Sequence, residues 1–127
     1  MAEGTIPEDV RRFLLLSIPT VAHLEAMLLL RSAPSHAWPA QSAAARLYIS
    51  ERIAADLLGE LHSAGILAAG EEPGTYRFAP APELATVIDN VALAYARDLV
   101  GVTDLIHSRT GRKAQIFADA FKIRGGS

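Results

Sequence analysis

The chain contains no cysteine. Disulfide frameworks, thiol nucleophiles and thiolate zinc sites are therefore excluded, and the composition suits a reducing compartment, so a cytoplasmic location is expected. It also lacks a surplus of positive charge: the formal net charge is −2 and the sequence pI about 6.0. A protein that neutralises many phosphates over its whole surface is thereby excluded, and any nucleic-acid contact has to come from a local patch. No secretory signal is legible, because Glu3, Glu8 and Asp9 stand where a basic region would be needed. The apolar run from Phe13 to Leu30 is interrupted by Pro19, His23 and Glu25. Neither export nor membrane spanning is expected from such a start.

Chemistry-bearing patterns are equally sparse. The four histidines, His23, His36, His62 and His107, show no metal-ligand spacing, so no metal and no cofactor is expected. His23-Leu24-Glu25 matches the histidine and glutamate of zinc deaminases, but the two cysteines of that motif are missing. No phosphate-cradling glycine loop, nucleophile elbow or metalloprotease helix occurs. The expectation is a protein that is not an enzyme.

What is present is enough for one domain of mostly α structure: 127 residues, half of them hydrophobic. Pro7-Glu8-Asp9 followed by Val10, Phe13, Leu14 and Leu16 predicts an N-terminal helix in a segment 1–19, ended or kinked by Pro19. Val21, Leu24, Met27, Leu28 and Arg31 recur at helical spacing, and Ser32-Ala33-Pro34-Ser35 breaks the pattern. His36-Ala37-Trp38 is long enough only for a bridging strand segment. An alanine-rich helix then runs from Pro39 or Ala40 to about Leu47. Ser50 is a good N-cap for a further helix carrying Ile53, Leu57, Leu58 and Leu61 on one face and stopping at Gly65. Ile66–Ala69 and Thr75–Phe78 are strand candidates joined by the turn-rich 70–74, a small β-hairpin. Tyr76 and Phe78 should face inward and Arg77 outward. Trp38 should plug the edge of the core.

From Pro82 onward Leu84, Ile88, Val91, Tyr95, Leu99, Val102 and Ile106 recur at spacings of four and three. This heptad-like stripe predicts one long helix over 81–108 that packs on a second copy of the chain. The tail 109–127 sets Arg109, Arg112, Lys113, Lys122 and Arg124 against the single acid Asp119. Phe117 and Phe121, four residues apart, favour docking of this tail on a partner subunit; a DNA-binding arm and a solubilising end are the alternatives.

The order helix, short strand, helix, capped helix, hairpin over 20–80, with the stretch from Pro39 through Ser50 to Ala64-Gly65-Ile66-Leu67, resembles bacterial winged helix-turn-helix transcriptional regulators. The resemblance implies a homodimer that binds double-stranded DNA, with the helix after Ser50 as recognition helix and the 81–108 helix for dimerisation. It implies DNA contacts from Arg46, Ser50, Arg52, Ala55 and Arg77, with Arg109, Arg112 and Lys113 of the tail. The dimer interface would take Leu84, Ile88, Val91, Tyr95, Leu99, Val102 and Ile106, with Phe117 and Phe121. The outward positions of the recognition helix are Glu51, Arg52, Ala55, Asp56 and Gly59, and the wing tip holds Glu71 and Glu72 where the family usually has Arg or Lys. These acids leave a second reading open, a winged-helix protein-interaction module with little direct DNA binding. Arg46 and Arg52 are then surface arginines paired with nearby acids.

Overall fold

The computed structural model describes residues 6–108. Among them are six helices and three short strands: α1 (Glu8–Ser17), α2 (Val21–Arg31), β1 (Trp38–Pro39), α3 (Ala40–Leu47), α4 (Glu51–Ser63), β2 (Leu67–Ala69), β3 (Thr75–Phe78), α5 (Pro82–Arg97) and α6 (99–108). The tail residues Arg109, Arg112, Lys113, Phe117 and Phe121 lie outside the described residues.

The element boundaries follow local chemistry. Glu8 and Asp9 occupy the first turn of α1, where the helix dipole favours acids. Ile18, the residue before Pro19, is extended, as the proline ring requires of its predecessor. Thr20 caps α2, its Oγ1 accepting from the His23 N–H at 3.2 Å. No single described helix is long and apolar enough to cross a membrane; α1 and α2 meet at 110°.

The sheet has three strands: the hairpin, and the short strand segment expected at 36–38, which falls at Trp38–Pro39. β3 lies in the middle, antiparallel to both neighbours, in the order β1-β3-β2. Trp38 pairs with Tyr76 and Pro39 with Thr75; Leu67 pairs with Phe78 and Ala69 with Tyr76. Pro39 is tolerated because β1 is an edge strand, and it then starts α3, which needs no N–H at that point. Between β2 and β3 the chain turns tightly at Gly70, whose N–H donates to the Thr75 carbonyl at 2.8 Å. A Cβ on Gly70 would lie 2.2 Å from Thr75 Oγ1, so only glycine fits.

One core serves all the helices. Leu14 of α1, Leu24 and Met27 of α2, Leu58 of α4 and Ile88 of α5 are fully buried in a single cluster. Trp38 is buried there too, as the sequence indicates, while Tyr76 and Phe78 are half-buried and Arg77 is exposed.

The long helix over 81–108 is corrected to two helices. At Asp98 the backbone leaves the helical region (φ −145°, ψ 68°), and the side chain turns back to accept from the Gly101 N–H at 2.9 Å. Asp98 therefore ends α5 and caps α6, and the heptad-like periodicity runs straight through the break. The dimer stripe is corrected with it. Ile88, Val91, Val102 and Ile106 are wholly buried within this chain, and Leu84 and Tyr95 pack against the same core. Of the stripe's residues only Leu99, 55% exposed, faces solvent.

Polar contacts fix α5 in place. Arg31 of α2 donates from Nε and Nη2 to Asp89 Oδ1 at 3.2 and 3.0 Å, and Asn90 Nδ2 donates to Asp9 Oδ2 at 3.4 Å. The Tyr95 hydroxyl donates to Glu25 Oε2 at 2.5 Å. Burial, then the hydrogen bond and the charge of Glu25, push the Tyr95 phenol up to about 12. A raised value favours the neutral phenol in the fold, so its contribution is complete below pH 10 and is lost as pH climbs from 10 towards 12. Unfolding titrations should show that loss in the parent and a flatter profile over the same window in Tyr95→Phe.

Candidate nucleic-acid interface

The candidate surface is built on the turn between α3 and α4. At its centre Tyr48 ends α3 in a left-handed conformation (φ 59°, ψ 44°), the only non-glycine residue with positive φ among the described residues. The side chain contributes nothing to the core: it is 94% exposed. A non-glycine residue in this region costs on the order of 1 kcal/mol, and such strain concentrates at functional positions. Tyr48→Gly should accordingly raise stability by about 0.5–1 kcal/mol, read from the urea midpoint, while weakening whatever this surface binds.

Two residues later Ser50 caps α4, its Oγ accepting from the Ile53 N–H at 3.1 Å. Ala54, Leu57, Leu58 and Leu61 are buried and pin the helix to the core. The opposite face carries Glu51, Arg52, Ala55 and Asp56, all exposed, with Gly59 partly covered. Ile53, expected on the buried face, is 49% exposed and lies beside this surface.

Ser50, Arg52 and Ala55 are thus brought together on one helix face. Arg46 is exposed on α3, with its guanidinium 5.7 Å from the centre of the Trp38 ring, a cation–π contact that holds it beside β1. His36 meets the same ring edge-on at 4.8 Å. Neither Arg46 nor Arg52 forms an ion pair among the described residues, so neither is neutralised by the acids beside it in sequence. Arg77, on β3, lines a groove of about 520 Å³ that also holds Glu71 and Glu72. Arg77 forms no ion pair with either acid among the described residues, and the hairpin tip is acidic.

A polar clamp with one buried partner, His23, and one exposed partner, Glu60, joins α2 to α4. His23 is buried on α2 with Nδ1 2.7 Å from Thr20 Oγ1 and Nε2 2.5 Å from Glu60 Oε1 on α4. With Nε2–H donating to the carboxylate, Nδ1 accepts the threonine proton, so both ring nitrogens are satisfied. The clamp ties the start of α2 to the third turn of α4 and fixes how α4 is presented. Among the described residues no three His, Asp or Glu side chains gather as a metal site would require.

Tyr48, Ile53 and the His23–Glu60 contact were not candidates from sequence. A tyrosine directly before Ile49-Ser50 at a helix junction was the available signal for the first. The third joins residues 37 apart and carries no local signature.

No protein-family model, curated protein or solved structure matches the chain.

Proposed function

We propose that residues 20–80 form a winged helix-turn-helix that binds duplex DNA, and that the protein acts as a transcriptional regulator. α4 is the recognition helix and the β2–β3 hairpin the wing. The observation that carries this reading is the element order α2-β1-α3-α4-β2-β3, closed by an antiparallel sheet in the order β1-β3-β2, with one face of α4 left open to solvent. In such an arrangement the first turns of α4 enter a major groove while backbone contacts come from the flanking elements. Arg52 is the base-edge candidate, and Arg46 and Arg77 are the phosphate candidates. The buried stripe of α5 and α6 leaves no coiled-coil pairing in this proposal.

Retardation of genomic fragment pools at low salt tests it. A salt-sensitive shift is expected. Arg52→Glu and Arg77→Glu should each lower affinity by about tenfold and flatten the salt dependence by about one unit of slope. A chain that shifts no fragment at low salt overturns the proposal.

A second reading rests on charge. Of the chain's 12 basic and 14 acidic residues, five basic and one acidic lie after residue 108. Residues 1–108 therefore keep seven and thirteen, a formal −6. With Glu51 and Asp56 on the open face of α4, and Tyr48 and Ile53 exposed beside it, this surface suits a basic protein partner with an apolar centre.

A further inference from the structure

An open, largely apolar surface lies where α1 packs on α5. A groove of about 450 Å³ is lined there by Pro7, Asn90, Leu93, Ala94, Arg97 and Asp98. Leu93 is 54% exposed, and Leu99 and Val100, the two residues after Asp98, are also exposed. Three large apolar side chains left open within eight residues, next to a groove of ligand-binding size, are the pattern of a surface that something covers.

We propose that the chain's own C-terminal segment, residues 109–127, covers it, with Phe117 and Phe121 seated in the groove. Chain length allows it. α6 starts directly after the groove residue Asp98, and its ten residues, 99–108, carry the chain only about 15 Å away. Residues 109–116 span up to about 27 Å, enough to bring Phe117 back to where α6 began. The chemistry also matches. Each phenylalanine ring supplies about 150–250 Å² of apolar surface, and the groove offers Leu93 and Ala94 against it.

Charge favours the same occupant. Acids outnumber bases around the groove: Asp98 lines it, Asp9 holds the groove residue Asn90 and Glu8 stands next to Pro7, against Arg97 in the lining and Arg11 one turn from Pro7. Arg97 is the one cation among the lining residues. Five of the segment's six charged residues are basic. Two aromatics flanked by cations therefore meet an apolar groove flanked by carboxylates. The inference does not depend on what α4 binds.

The absence of cysteine gives a clean test on the full chain. A nitroxide attached through Ser127→Cys sits six residues past Phe121, within about 20 Å of it. The amide signals of Asn90, Ala94, Leu99 and Val100 are expected to broaden, and the broadening should be lost in Phe117→Ala/Phe121→Ala. It should also be absent when nitroxide-bearing chains without isotope are mixed with isotope-labelled chains that carry no nitroxide. Three results overturn the proposal: groove signals that never broaden, broadening that survives the double alanine variant, and broadening in the mixed sample. The last assigns the groove to the segment of a second copy. DNA retardation on the same samples reports separately on α4.

Discussion

Val91→Asp should abolish the cooperative thermal transition, whereas Leu99→Asp should melt within a few degrees of the parent. Val91 is wholly buried on α5 within the common core. A carboxylate placed there has no partner, and burying it, or protonating it so that it can be buried, costs several kcal/mol. A single domain of this size has only about 5–15 kcal/mol in total, so that one change removes much or all of its stability. Leu99 is more than half exposed and stands in the first turn of α6, where an acid is favoured by the helix dipole. Its replacement leaves the core intact and should alter stability by no more than about 1 kcal/mol, including the contact that the C-terminal segment would lose.

The two positions belong to one heptad-like stripe, and the contrast separates two uses of it. Circular dichroism melts, with sedimentation alongside, are the measurement. A stripe that formed a subunit interface would give folded monomers with Val91→Asp and a comparable dissociation with Leu99→Asp. That outcome would sink the assignment of α5 and α6 to this chain's own core.

The second large effect is expected from Glu51→Lys/Asp56→Lys. Both side chains are exposed on α4, beyond the buried Ala54 and Leu57, so the fold should tolerate the exchange. The formal charge of that helix face changes by four. If α4 approaches duplex DNA, whose backbone carries one charge per ~1.7 Å, removing two repulsions and adding two cations should tighten binding by about tenfold to a hundredfold at low salt. The salt slope should steepen by about two. If the same face engages a basic protein, the variant should lose that partner and gain only weak, salt-labile DNA binding. Titration of one labelled fragment from low to physiological salt decides between the two. Unchanged DNA affinity would place α4 away from the duplex altogether.

Local chemistry made much of the helical framework legible. Thr20 and Ser50 accept from the N–H three residues on, as caps do. Gly65 takes the positive φ that ends α4, and the residue before Pro19 is extended. These features involve atoms a few residues apart, so the sequence carries them directly. The break at Asp98 was also local, an aspartate three residues before the N–H it accepts from, but the apolar periodicity continued across it and hid it. On the candidate surface, the exposed Glu51, Arg52, Ala55 and Asp56 followed from helical period and the cap at Ser50.

The sequence by itself thus determined the starts and stops of α1 to α4, most of the open face of α4, and that positive charge gathers after residue 108. Only the tertiary structure decided the rest. Trp38–Pro39 became a strand because β3, almost forty residues later, lay beside it. The apolar stripe went into the chain's own core because α5 packs on α1, where Asn90 meets Asp9, and is tied to α2 through Asp89 and Tyr95. Arg46 came to rest on Trp38, and His23 met Glu60 across two helices. Caps and turns are settled by neighbours along the chain; a helix's apolar stripe says only that it will be buried. Which surface buries it depends on contacts distant in sequence, and for that reason a stripe that looked like half of an interface became part of a core.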